Sequence, residues 1–324
     1  MRITIVTPAR SGSTQGNRIT AVRWAGILKQ LGHRVTISQS FDHQTADLLI
    51  ALHARRSYAS IEHFHRQHSG APIVVALTGT DLYRDLKSDP RPEKSLALAQ
   101  RIVVLQPKAV EKLDRPFRTK TRVIYQSVAK GIGAQRRGEE ISVIKKSFDV
   151  CVIGHLRAVK DPFRTAMAAR LLPASSRIRI THIGAAMTAA MAARAQAEAA
   201  RNHRYSWLGP MTSARTRNIL VKNQLCVLSS RMEGGANVLS EAIVANVPLL
   251  ASRIDGNTGI LGEDYPGLFE VGDTRELAML LRRAETDAAF LSDLRRRIKK
   301  LASLFDPQRE RRAWAQLIRE LRCG

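Results

Sequence analysis

Two acids around a glycine pair carry the most chemistry in this sequence of 324 residues. Glu233 and Glu241 stand eight positions apart in Arg231-Met-Glu-Gly-Gly-Ala-Asn-Val-Leu-Ser-Glu241. Gly234 and Gly235 have no Cβ, so the backbone there can come close to a ligand. A helix beginning near Ala236 would offer the free N–H groups of Ala236, Asn237 and Val238, and a positive dipole end, to a phosphate. Glu233 would then lie in the loop, facing a sugar. Glu241, about two turns along the helix, could accept hydrogen bonds from a ribose diol. The segment suits a nucleotide sugar. Two glutamates on any surface helix would share this spacing, so the surrounding elements must decide.

Two further loops have the composition of anion sites. Gly154-His155-Leu-Arg157-Ala-Val-Lys160-Asp161 brings two or three positive groups to a strand end, where a diphosphate leaving group needs its charge neutralised. Ala9-Arg-Ser-Gly-Ser-Thr-Gln-Gly16-Asn17-Arg18 opens a helix with a glycine-bearing loop whose amides could meet an anion. It is not Gly-x-Gly-x-x-Gly, so a dinucleotide site is poorly supported.

The elements that must position these loops alternate in kind along the chain. Residues 2–7, 34–38, 47–52, 72–77, 101–105 and 122–126 read as buried strands. A helix over 17–31 places Val22, Ala25, Leu28 and Leu31 every three residues. Residues 130–146 hold three glycines and many charges without a period, which suits a linker. A second series of strands follows at 148–154, 177–184, 205–209, 224–229 and 247–252, and residues 305–321 close the chain with an amphipathic helix bearing Trp314, Leu317 and Leu321. Strands separated by helices imply a parallel, doubly wound sheet. Two α/β, Rossmann-like domains are expected: 1–135, joined by the last helix at about 306–324, and 147–305. The acidic loop then lies at the carboxyl end of a strand, where open α/β sheets bind ligands.

Composition narrows the class. At 44% hydrophobic the chain can bury two cores, and no apolar run is long enough to span a membrane. The apolar part of Met1-Arg-Ile-Thr-Ile-Val-Thr-Pro8 is too short for a secretory signal. Cys151, Cys226 and Cys323 show no Cys-x-x-Cys spacing, and the first two sit in strand-like runs as small core residues. A cytoplasmic location and no stable membrane insertion are expected. The formal charge of +24 invites nucleic acid, but aromatics are only 5% and the excess is spread along the chain, densest at Arg295-Arg-Arg-Ile-Lys-Lys300. Basicity alone does not make a nucleic-acid site, and none is expected.

Taken together, these segments resemble the family-four glycosyltransferases of GT-B fold over nearly the whole chain. The resemblance implies two Rossmann-like domains facing across a cleft, the second holding the donor. An arginine and a lysine after that domain's first strand bind the donor diphosphate in the family. Lys160 takes the lysine position; His155 stands at the arginine position, with Arg157 two residues on, and either could serve. Glu233 matches the glutamate that contacts the transferred sugar and Glu241 the one that holds the ribose. Glu233 and Lys160 are thus the candidate catalytic residues, with Gly209, Gly235, Ala236, Asn237 and Val238 beside them on the donor side. No metal or other cofactor is implied, and no Asp-x-Asp pair is present.

One departure bears on the acceptor. Family members often carry a histidine before Gly-Thr-Asp at a strand end of the first domain, where this chain has Leu77-Thr78-Gly79-Thr80-Asp81. Without that group, an acceptor that is already an anionic nucleophile is expected, needing no general base. The segments Thr7 to Arg18, Ala51-Leu-His-Ala-Arg-Arg-Ser57, Leu77 to Arg84 and Gly154 to Arg164 are similar to the selenosugar synthases of selenoneine biosynthesis. That branch implies transfer of N-acetylglucosamine, or glucose, from a UDP-sugar to selenophosphate, with possible hand-off to the next enzyme of the pathway. The acceptor side would comprise Gly16, Asn17, Arg18, His53, Arg55, Arg56, Thr78 and Asp81, with His53, Arg55 and Arg56 supplying cations. A family-four enzyme with a hydroxyl acceptor, such as a lipid-linked or lipopolysaccharide sugar, is the alternative.

Overall fold

The computed structural model describes residues 1–13, 15–42, 45–129 and 146–323. The chain divides into two compact units: Met1–Ser127 with Glu233–Ala236 and Asp306–Gly324, and Val128–Met232 with Asn237–Phe305. Nearly all of the expected linker at 130–146 lies outside the described residues.

The first unit is built on six parallel strands, β1 Arg2–Val6, β2 Arg34–Ser38, β3 Leu48–Leu52, β4 Ile73–Ala76, β5 Arg101–Val104 and β6 Thr121–Val123, in the order β2-β1-β3-β4-β5-β6. β3 and β4 are buried at every position, as parallel strands covered on both faces must be. The period of two in β3 divides its side chains between two cores. Leu48, Ile50 and Leu52 join Trp24, Leu28 and Trp314 on one face, while Leu49 and Ala51 join Phe41 and Phe64 on the other.

The helix Gly16–Gln30 covers the first of these faces, and its buried stripe differs from the expected one. Val22 is 52% exposed. The inward residues are Ala21, Trp24, Ala25 and Leu28, the i, i+3, i+4, i+7 pattern of a true 3.6-residue period. A strict step of three drifts off the face within two turns.

The last helix, Pro307–Cys323, packs on this helix through Trp314, whose ring centre is 4.8 Å from that of Trp24 in an edge-on contact. Below them Glu310, 2% exposed, accepts Trp24 Nε1–H at 2.9 Å and the Ser127 amide at 2.8 Å, and also bonds the Ser127 hydroxyl. One carboxylate thus serves three donors from two distant segments. Glu310→Gln should lower the unfolding free energy by about 1.5 kcal/mol, because an amide replaces one accepting oxygen with a donor facing another donor. Urea titration of both proteins would read this directly; an unchanged midpoint would remove the carboxylate from the list of stabilising groups.

The second unit repeats the architecture with β7 Phe148–Ile153, β8 Ile178–Ile183, β9 Tyr205–Trp207, β10 Leu225–Leu228, β11 Leu249–Ser252 and β12 Leu268–Phe269. All pairings are parallel and the order is β12-β11-β10-β7-β8-β9. The two-residue β12 has no period to read, and it exists because Leu268 and Phe269 pair with Ala251 and Ser252. Cys151 and Cys226 face each other in register on β7 and β10, fully buried. The densest basic run lies on the helix Ala288–Leu301, where Arg297 pairs with Asp264 at 2.8 Å and Asp293 at 3.0 Å. Among the described residues no helix is long and apolar enough to cross a membrane.

Both strand orders reverse direction once. In the first unit the reversal falls between β1 and β3, and in the second between β7 and β10. Loops diverge at such points and leave a crevice at the carboxyl ends of the strands. The segments that follow β1, β3, β7 and β10 are the ones that the sequence singled out.

Candidate active site

At the second unit's reversal, β7 runs out into Gly154 and His155 and then a single 3₁₀ turn, Ala158–Lys160. The turn is clamped from β10. The Arg231 amide donates to the Val159 carbonyl at 2.8 Å, and the Ser229 hydroxyl lies 3.2 Å from the Lys160 carbonyl oxygen and 2.9 Å from that of Asp161. Asp161 ends the turn in the left-handed region, φ +44°, which its short side chain tolerates. Its carboxylate pairs with Arg164 at 2.9 Å and Arg231 at 3.8 Å. Lys160 is therefore placed by its backbone.

His155 and Arg157 differ in constraint. Arg157 is exposed, whereas His155 is half-buried and its Nδ1 accepts the Ala185 amide at 3.1 Å. An amide can only donate, so the neutral ring keeps its hydrogen on Nε2. The Ala185 amide thus fixes both the ring's orientation and the nitrogen that carries its hydrogen. Gly209, φ +70°, accepts the Gly184 amide at 2.9 Å at the end of β9.

After β10 the helix Asn237–Val244 carries Val238 and Glu241, both half-buried, and the Ser240 hydroxyl donates to the Asn237 carbonyl at 2.8 Å. The Cys226 thiol is pushed well up by its hydrogen bond with Cys151, by burial and by the neighbouring charges of Cys151 and Glu241. Lys160 and His155 on the segment after β7, and Asn237 and Glu241 on the helix after β10, thereby border one reversal point. Ser229 and Arg231, which hold the Lys160 turn, were not expected from the sequence; they sit between a strand and an acidic loop and carry no signal beyond their polarity.

The loop Glu233–Ala236 packs with the first unit. Glu233 is half-buried, and Gly234 lies directly on the Thr78–Gly79 backbone. A Cβ at Gly234 would sit 2.5 Å from the Thr78 carbonyl carbon and oxygen, and one at Gly235 would sit 2.8 Å from Leu105 Cβ. The glycine pair is thus required by the protein's own packing, and not only by the approach of a ligand. Ala236 is buried.

The residues expected on the acceptor side have structural duties. Asp81 is fully buried and accepts the amides of Thr78, Gly79 and Ala54 at 2.8–3.2 Å, which ties the segment after β4 to the segment after β3. His53, 3% exposed and in the left-handed region at φ +74°, lies 3.0 Å from the Thr80 hydroxyl. Burial lowers its pKa from the usual imidazole value. Burial thus disfavours the charged form expected of His53, against the pull of Asp81 and of Asp85, whose Oδ2 lies 3.9 Å from Nε2. Arg55 is bound by Asp85 at 3.0 Å and Asp89 at 3.6 Å, while Arg56 is exposed. Gly16 is exposed, and Asn17 and Arg18 are half-buried, in the first turn of their helix. Thr78 is half-buried beside Gly79. Among the described residues no group of three or more His, Cys, Asp or Glu side chains could hold a metal ion.

Comparison with known proteins finds one matching family and several similar folds. The model of a family described as "Glycosyl transferases group 1" matches residues 136–303, just over half of the chain. Among solved structures, HepE from Anabaena in complex with UDP and glucose has a TM-score of 0.72 at 16% identity, over 99% of this chain and 100% of that one. Sucrose-phosphate synthase from Thermosynechococcus elongatus has a TM-score of 0.76 at 16% identity, over 99% of each chain. An E. coli trehalose-6-phosphate protein bound with UDP-2-fluoro glucose reaches 0.73 at 14% identity, again over 99% of each. Identities this low carry the fold and nothing finer.

Proposed function

The chain belongs to the group 1 glycosyl transferases and has the GT-B fold, and from that premise we propose that it moves N-acetylglucosamine, or glucose, from UDP to selenophosphate. The donor half of this reading is supported by the paired loops at the reversal between β7 and β10. Glu241 takes the ribose hydroxyls. Lys160, with the oriented Nε2–H of His155 or the exposed Arg157, neutralises the diphosphate, and the amides from Gly235 to Val238 add their dipoles. Glu233 meets the transferred sugar. The HepE complexes with UDP and UDP-glucose favour a uridine donor.

The acceptor half rests on the resemblance of four sequence segments to selenosugar synthases. Selenium of selenophosphate attacks the anomeric carbon and the bond to the UDP oxygen breaks, UDP leaving as an anion. Water then cleaves the selenium–phosphorus bond, releasing phosphate and a 1-selenol sugar. The enzyme would work in the cytoplasm and pass its product to the next step of selenoneine biosynthesis. A hydroxyl acceptor, such as a lipid-linked sugar, is the second reading. It is favoured by the burial of His53, which disfavours its charged form, and by the ion pairs of Arg55, which leave fewer cations for an anionic acceptor.

Mass spectrometry of the protein incubated with UDP-N-acetylglucosamine and selenophosphate tests the proposal. The expected result is a sugar carrying the selenium isotope pattern, with UDP and phosphate released in equal amounts. UDP release that needs a sugar alcohol and ignores selenophosphate would establish the hydroxyl acceptor instead.

A further inference from the structure

A buried polar chain crosses the second sheet and ends on the loop that carries His155 and Lys160. The Tyr205 hydroxyl oxygen on β9 lies 2.9 Å from His182 Nδ1 on β8, and His182 Nε2 lies 3.1 Å from the carbonyl oxygen of Gly154, just after β7. His182 is 1% exposed and Tyr205 2%. The direction of donation follows from the partners. A carbonyl oxygen has only lone pairs, so His182 Nε2 must carry a hydrogen. Burial holds the ring neutral by lowering its pKa to about 4. Nδ1 is then an acceptor, and the Tyr205 hydroxyl must donate to it.

A second set of bonds runs beside the first. Trp207 Nε1–H donates to the Gly184 carbonyl at 2.9 Å, and the next amide, that of Ala185, donates to His155 Nδ1. Gly184, φ +153°, lies so close that a Cβ there would overlap the Gly154 carbonyl oxygen. Gly154 and His155 are therefore gripped from β8 and β9, while the Lys160 turn is gripped from β10. Both ends of one loop are held by groups outside it. An apolar residue at 182 would fill the same interior without the burden of burying an imidazole, so the polar contact points to a need for position.

We propose that His182, oriented by Tyr205, is a positioning residue for the Gly154–Lys160 loop, holding it so that the His155 N–H and the Lys160 ammonium meet a nucleoside diphosphate together. The inference rests on the reading that this loop takes the diphosphate of the donor. His182 touches neither donor nor acceptor; it acts through the Gly154 carbonyl.

The test is calorimetric titration of UDP into the full-length protein and three variants, with circular dichroism confirming the fold of each. His182→Leu should weaken UDP binding about tenfold, since small displacements of a binding group are expensive. His182→Gln, whose amide can still donate toward Gly154, should recover most of the affinity, a rescue that a merely space-filling role would not give. Tyr205→Phe keeps the packing, loses one hydrogen bond, and should weaken binding about threefold. A folded His182→Leu that binds UDP as tightly as the parent overturns the inference. Should His182→Leu fail to fold, unchanged binding by Tyr205→Phe overturns it equally. A parent protein that does not bind UDP at all would instead bring down the reading of the donor site, and this inference with it.

Discussion

Lys160→Ala is expected to lower turnover about a hundredfold while leaving the fold intact. The size is that of removing one charge-stabilising donor from a leaving group in a preorganised site. The fold should survive because the Ser229 hydroxyl and the Arg231 amide bond the backbone carbonyls of residues 159–161, and these bonds do not depend on the side chain at 160. Alanine also suits the 3₁₀ turn that follows Arg157. Because negative charge builds on the diphosphate as the anomeric bond breaks, the loss should fall mainly on kcat and less on KM. Arg157→Ala is the useful contrast. Arg157 is exposed and has water as an alternative partner for the same anion, so its removal should cost less than Lys160→Ala. Steady-state UDP release reads both. A Lys160→Ala variant with parental kcat would show that the diphosphate lies elsewhere.

The architecture was legible because its signals are local. Short runs such as Leu48–Leu52, apolar at every position, can only be strands buried on both faces, and their alternation with helices gives parallel sheets. Glycine loops and acids at strand ends could be found for the same reason. What could not be read depends on neighbours far away in sequence. β12 is two residues long and is defined only by its pairing with β11. His53 reads as a cation in a basic segment, and only its burial beside Thr80 shows that its charged form is disfavoured. Gly234 looked like a glycine kept for a ligand, and only the Thr78 backbone lying against it shows the second reason. His182 stands in a strand, Ile178–Ile183, that mixes isoleucines with Arg179 and Thr181, where a lone histidine signals little; its role depends on Tyr205 and on Gly154, 28 residues earlier.

The same histidine makes stability depend on pH in a window that can be stated in advance. In the unfolded chain His182 should titrate near 6.5, the ordinary imidazole value. In the folded protein burial lowers its pKa to about 4, partly offset by its bond to the Gly154 carbonyl. Between those values the unfolded chain binds more protons, so stability rises with pH across the window. The contribution is complete above pH 6.5 and is lost as the pH falls toward 4. At about 1.4 kcal/mol per pH unit, the difference amounts to about 3 kcal/mol from this one residue. Carboxylates in ion pairs, such as Asp47 with Arg2, have lowered pKa values and so lose their contribution at the acid end of the range. His182→Gln separates the two, because glutamine does not titrate. Urea unfolding followed by circular dichroism at a series of pH values from 7 to 4 should show the parent losing about 3 kcal/mol more than the variant. Parallel curves would mean that His182 is protonated in the folded state, and the neutral donor to Gly154 would have to be replaced by an imidazolium that donates from both nitrogens, reversing the Tyr205 bond.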